Sequence, residues 1–342
     1  MAKLFRKGRF QFFQGKGWGQ YVLYIVLEML LVVAGILIAL EINNGNESRK
    51  NEDKAVAILH ELRRDLRHNL EDIEKMNANL EFKDSLITRV MQDSVSRDDY
   101  RSNFAYAGVT MTYLTMNFQD NGFNSMTRQS EIFSRDFDTL FTNLEKLYQG
   151  NYRLVETMQE RLGDFVINNL ERWSLDKPWM YKISRGELTE EALDYFLEDP
   201  YYLNTVDLYR TYASLNMLSS LREAKLQTTL AIVALSKKLS PEVDPYAEFE
   251  GYLSARNDAL WAGDTGLYSL ASIVDFKLDL DEEGLKMGQV GQQQFRVYPQ
   301  NDSTLFLPRG DLSLIIDRSK KEITLLGGLR PQTLIKKEKD AQ

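Results

Sequence analysis

Apolar residues run almost unbroken over residues 21–40, YVLYIVLEMLLVVAGILIAL, with Glu28 as the single charge. At about 1.5 Å per residue this run matches a hydrocarbon core of roughly 30 Å, so the pattern predicts one transmembrane helix at residues 21–43. A cleaved signal peptide would have a shorter apolar core followed by a small-x-small site. Here the run is full length and ends in Glu41-Ile42-Asn43-Asn44, which predicts a retained anchor. From about residue 46 to 98 the pattern becomes that of one long amphipathic helix, with Leu59, Leu62, Leu66, Asn69, Ile73, Met76 and Leu80 at 3–4 spacing. Two arrangements satisfy this seam. One is an antiparallel bundle; the other is a parallel coiled coil in which Asn69 is the polar position that sets register and oligomer state.

All seven prolines lie at residue 178 or beyond, so nothing in the first 177 residues forbids long helices. Residues 103–125 are rich in Tyr, Phe, Thr and Met and break the charged helical pattern. Their aromatic side chains suit core between helices, with a ligand groove as the alternative. A helix is expected between turns at Asn121-Gly122 and Gly150-Asn151, followed by helices over about 152–173, 188–198 (ended by Pro200) and 203–239. Together they make an up-and-down helical array. Beyond about Trp261 the periodicity alternates, and short strands are expected at 266–271, 273–280, 284–287, 294–299, 304–308, 312–317, 322–326 and 333–335. The fold class is therefore a membrane-anchored α+β chain: a stub at 1–20, the span at 21–43, a helical domain at 46–240, a linker at 241–260 and a small antiparallel β-meander or barrel at 261–338.

Charge orients this plan. The first twenty residues hold Lys3, Arg6, Lys7, Arg9 and Lys16 and no acid, and the positive-inside rule then places the N-terminus in the cytoplasm and the bulk of the chain outside it. Phe10, Phe12, Phe13, Trp18, Tyr21 and Tyr24 form an aromatic lead-in suited to the headgroup level. The whole chain carries −8; setting aside those five basic residues with Glu28 and Glu41 leaves 37 basic and 48 acidic residues, a net −11. Nucleic-acid binding, which needs a basic face, is not expected. With no cysteine, and with His60 and His68 more than two helical turns apart, no disulfide, zinc site or other cofactor is expected either.

Glu28 must lie within the apolar layer, because a span starting after it would be too short to cross. It shares a helix face with Gly35 and Ala39, a small-xxx-small pair that admits close helix approach. The stripe suits a homo-oligomer or membrane-protein interface; an isolated anchor with Glu28 protonated or reaching the interface suits it equally. The segment from Glu28 to Asn44, with the charged Asn46-Glu-Ser-Arg-Lys50 after it, resembles a domain-of-unknown-function family of bacterial single-pass membrane proteins. Asn121-Gly-Phe-Asn-Ser125, Phe137-Asp-Thr-Leu-Phe-Thr-Asn143 and Leu147-Tyr148 are similar to the helical region of the same family. The resemblance covers residues 3–239 and departs from the family at Gly45, where a tryptophan is usual. It implies a location in the bacterial inner membrane with the bulk of the chain periplasmic, and it brings no activity.

Gly266-Leu-Tyr268, Phe295-Arg-Val-Tyr-Pro299, Leu305-Phe306 and Leu314-Ile-Ile316 are similar to the small β domain attached to serine-hydrolase and penicillin-binding-like proteins, which implies an accessory role only. Asp279, Asp281, Glu283 and Gly284 have calcium-loop spacing at its start, but position twelve is Val290, so a hairpin turn is expected. No phosphate loop, nucleophile elbow or H-E-x-x-H is present. The expected function is an envelope-anchored, non-enzymatic binding or scaffold protein with the lipid bilayer as one partner. The alternative is a single-pass component of a proton- or force-coupled complex that uses Glu28.

Overall fold

The computed structural model describes residues 18–337 apart from 283, 309–311 and 328–330. Most of the N-terminal stub, including Phe10, Phe12 and Phe13, lies outside the described residues, as do Glu283 and the tail from Glu338. Helix α1 (Trp18–Met91) runs unbroken for 74 residues, about 110 Å at 1.5 Å per residue. Among the described residues none before Ile58 is buried; from there the whole seam of Leu59, Leu62, Leu66, Asn69, Ile73, Met76 and Leu80 is. α1 ends at Met91, earlier than its pattern suggests, where Asp93 turns to φ 52° and the Ser94 hydroxyl donates to the Arg89 carbonyl. Helix α2 (Arg97–Ser102) then restarts behind a capping box of Ser96 and Asp99.

The seam packs against helices of its own chain. Helix α3 (Asn121–Arg128) crosses it so closely that a Cβ on Gly122 would lie 2.4 Å from the Leu62 Cα. The Gly122 amide donates to Asp65 Oδ2 at 2.8 Å. One turn along, Asn69 Nδ2 donates to the Gln119 carbonyl at 2.9 Å, and the Gln119 amide donates back to Asn69 Oδ1 at 2.7 Å. Asn69, expected as a coiled-coil polar position, is buried and pairs with a loop of the same chain. The expected turn at Asn121-Gly122 is the first turn of α3, because the glycine there serves contact with α1. The aromatic stretch before it is core: Tyr106, Val109 and Met116 are buried, and Phe118 stacks on Tyr152 with ring centroids 3.8 Å apart.

Helix α4 (Asp138–Glu145), a π-helical turn (Lys146–Tyr152) and α5 (Arg153–Asp176) form one continuous rod. The turn expected at Gly150-Asn151 is absent; the wider π turn absorbs the glycine without reversing the chain. After the short α6 (Met180–Ile183), helix α7 (Glu190–Glu198) starts on a Thr189 cap. Pro200 then opens α8 (Pro200–Arg210), occupying its first position where no amide is needed, while Asp199 caps the Tyr201 amide at 2.8 Å. A second π turn (Thr211–Leu218) leads into α9 (Ser219–Leu239). α9 lies antiparallel to α1, and the ion pairs Lys225–Glu74 at 2.9 Å and Arg222–Glu81 at 3.1 Å run along their junction. At the far end Trp173, Trp179, Tyr195, Phe196 and Tyr202 close the core.

After helix α10 (Asp258–Ala262) come nine strands: β1 (Gly266–Leu270), β2 (Val274–Asp281), β3 (Gly284–Gln289), β4 (Phe295–Arg296), β5 (Tyr298–Asn301), β6 (Thr304–Leu307), β7 (Leu312–Asp317), β8 (Glu322–Leu326) and β9 (Gln332–Lys336). All pairings are antiparallel, in the order β4-β3-β2-β1-β9-β8-β7-β6-β5. The strand expected at 294–299 runs as β4 and β5 on either side of Val297, whose amide donates to the Leu285 carbonyl at 3.0 Å and so continues the pairing of β4 with β3. The segment thus pairs with β3 before Val297 and with β6 after it, which brings the two ends of the sheet order, β4 and β5, within one residue of each other, and the sheet rolls into a nearly closed barrel. Asp281 and Gly284 pair across a tight hairpin, with the Gly284 amide on Asp281 Oδ1 at 3.1 Å. The barrel has its own core around Trp261, Tyr268, Leu278, Leu305 and Leu334, separate from the helical one.

Gly122→Ala is expected to destabilise the chain by about 2 kcal/mol or more, since the clash is with backbone that cannot step aside. Gly45→Ala, in the exposed part of α1 with open space around it, is expected to be neutral or to gain about 0.5–1 kcal/mol of helix propensity. Thermal unfolding of the two variants in nanodiscs measures the contrast.

Candidate functional site

A concavity of about 1350 Å³ lies where the barrel meets the helical body. One wall is the α4–α5 rod, a second is α9 with the π turn before it, and the roof is the barrel rim around Gly284, the β4–β5 edge and Pro308. Three contacts set the barrel over the helices: the Ser254 amide donates to the Pro299 carbonyl at 2.8 Å, Lys225 Nζ sits 4.5 Å from the Tyr252 ring centroid, and Arg67 pairs with Glu248 at 2.5 Å.

Charge distinguishes this cleft from the rest of the surface. Lys146, Arg161, Lys237, Arg256 and Arg296 line it against Glu223 as the one acid among the described residues, in a chain of net charge −8. Arg256 is held by Asp258 at 2.6 Å, Lys237 rests 5.1 Å from the Tyr246 ring centroid, and Glu223 accepts from Gln227 Nε2 at 2.9 Å. Lys146 and Arg161 are exposed and make no ion pair among the described residues. Tyr298 in the roof has its phenol pushed up chiefly by burial and then by the charge of Glu223, while Arg296 and a hydrogen bond with Gln227 pull it back. Tyr298 is thus a neutral strut from barrel to α9.

The sequence-derived candidates lie elsewhere. Glu28, Gly35 and Ala39 share the exposed part of α1, and a Cβ on Gly35 would meet nothing within 4 Å. Asn69 is buried in the clamp on Gln119. Among the described residues one helix is long and apolar enough to cross a membrane, and none of its apolar window is buried. No group of three or more His, Asp or Glu suited to a metal occurs among the described residues. Sequence reasoning missed the cleft because its cations are scattered from Lys146 to Arg296; the one available signal was the recurrence of Asn143, Lys146, Leu154, Met158 and Arg161 on one side of a helix.

Residues 28–170 match the model of a family of unknown function, DUF6090. The matched segment runs from Glu28 into α5, taking in the apolar helix, the Asp65–Asn69 clamp and one wall of the cleft, and leaving α7 to α9 and the barrel outside. No curated protein and no solved structure matches the chain.

The most perturbed cation, Lys83, is outside the cleft. Its Nζ donates to the Thr112 carbonyl, to Thr112 Oγ1 at 2.7 Å and to the Tyr209 hydroxyl at 2.9 Å, and burial lowers its pKa from 10.5 to about 8. It ties the segment before α3 to α8. Below pH 8 the folded and unfolded chains are both protonated here, and the full cost of burying the charge is present. Above it the folded chain releases the proton while the unfolded chain keeps it until about 10.5, so this group's contribution to stability rises by up to about 3 kcal/mol across that window. Near pH 10 the buried Tyr152, Tyr202 and Tyr209, all raised by burial, begin to reverse the gain. Chemical denaturation from pH 7 to 10 is expected to show the rise in the native chain and to lose it in Lys83→Met.

Proposed function

We propose that this chain is a membrane-anchored, non-enzymatic binding protein that holds the cleft between helical body and barrel at a set height above the bilayer. The observation that carries the reading is the continuity of α1: one helix is exposed and apolar at its start and forms the spine of a folded core at its end. A removable leader has no reason to be continuous with the core. Between the two parts, residues 43–57 are polar for the most part and unburied, a stalk of about 22 Å at 1.5 Å per residue. The match at Glu28–Leu170 joins the same two parts. The N-terminal basic residues support a cytoplasmic start and an extracytoplasmic body.

The native chain is expected to stay in carbonate-washed membranes, and Leu30→Arg with Val33→Arg to release it, each arginine costing about 2.5–3.5 kcal/mol at the middle of a span. Recovery of the native chain in the soluble fraction would refute the anchor. Because the chain lacks cysteine, Leu175→Cys, at a position 87% exposed, gives a single label site. It is expected to react with an impermeant maleimide in spheroplasts; reaction only after lysis reverses the orientation.

A further inference from the structure

We propose that the cleft binds a segment of anionic glycan, sugars bearing carboxylate or phosphate groups. The inference deepens the binding reading above and rests on it. Three features of the lining point to this chemistry. First, the cations are spread out: Lys146 and Arg161 stand on one rod, about 22 Å apart at 1.5 Å per residue, and Lys237 stands on the facing helix. A compact anion would use clustered charges, whereas spaced ones suit a chain that repeats its charge. Secondly, the same two helical walls carry neutral amides and hydroxyls, among them Asn143, Asn151, Asn216 and Ser220. Such groups both donate and accept, as hydroxyl-rich sugars require. Thirdly, Leu154, Leu215 and Phe295 interrupt these polar groups with small apolar faces that suit the C–H faces of sugar rings.

Other occupants fit less well. Acyl chains need a continuous apolar channel, and here polar residues recur along both helical walls. An extended peptide would add to a sheet edge through backbone hydrogen bonds. The edges facing the cleft are β4, only two residues long, and β5, where Pro299 has no N–H and its carbonyl already accepts from Ser254.

The test uses the full chain in nanodiscs of uncharged lipid and titrates four polymers of matched length: oligogalacturonate, a phosphorylated mannan, neutral dextran and poly-glutamate. Binding of either charged glycan at least tenfold tighter than both dextran and poly-glutamate supports the proposal, and the preference between them identifies carboxylate or phosphate as the charge read. Lys146→Gln with Arg161→Gln, both exposed and outside the core, is expected to weaken that binding at least tenfold. Asn151→Ala with Asn216→Ala is expected to weaken it severalfold while leaving poly-glutamate binding unchanged. Equal binding of poly-glutamate, equal binding of dextran, or no binding of any polymer by a chain with a native melting curve overturns the proposal. These outcomes are separate from loss of the anchor, which appears in membrane fractionation while binding in solution persists.

Discussion

Burial of one face of α1 from Ile58 onward is the constraint on which the helical half depends. α3, α8 and α9 are held in place by that face, and the α4–α5 rod packs on α9 in turn, with Tyr152 bonded to Thr228 at 2.8 Å. The seam residues are apolar except Asn69, and the polar groups beside it are used where a loop must be held against the helix. Asp65 and Asn69 satisfy backbone groups at Gln119 and Gly122 that burial would otherwise leave unpaired. The same helix bears the exposed apolar stretch.

The barrel is built on a different principle. Its core is independent of the helical one, and it closes through one chain segment that changes partner at Val297, pairing with β3 before it and with β6 after it, so that β4 and β5 are neighbouring edges. Those edges roof the cleft.

Much of the helical pattern was legible because periodic burial is a local property of sequence, and the seam of α1 was read residue by residue. Apart from the early end of α1, the errors among the helices fell on glycine and proline. Gly122 and Gly150 read as turns, yet one permits helix contact and the other sits in a π turn; Pro200 read as a stop for one helix and also serves as the start of the next. Each residue has two structural uses, and choosing between them depends on what packs nearby. The strands were legible to within a residue or two, except that the run at 294–299 changes partner at Val297, which its alternation does not show.

By itself the sequence determined the long apolar helix, the amphipathic seam after it and the switch from helical to alternating periodicity, since each follows from spacing along the chain. Only the tertiary structure decided that the seam is filled from within the chain, that Asn69 clamps a loop, and that five cations from four separate segments face one cleft in an acidic protein. Such convergence depends on how distant elements pack, and no local pattern of hydrophobic and polar residues encodes it.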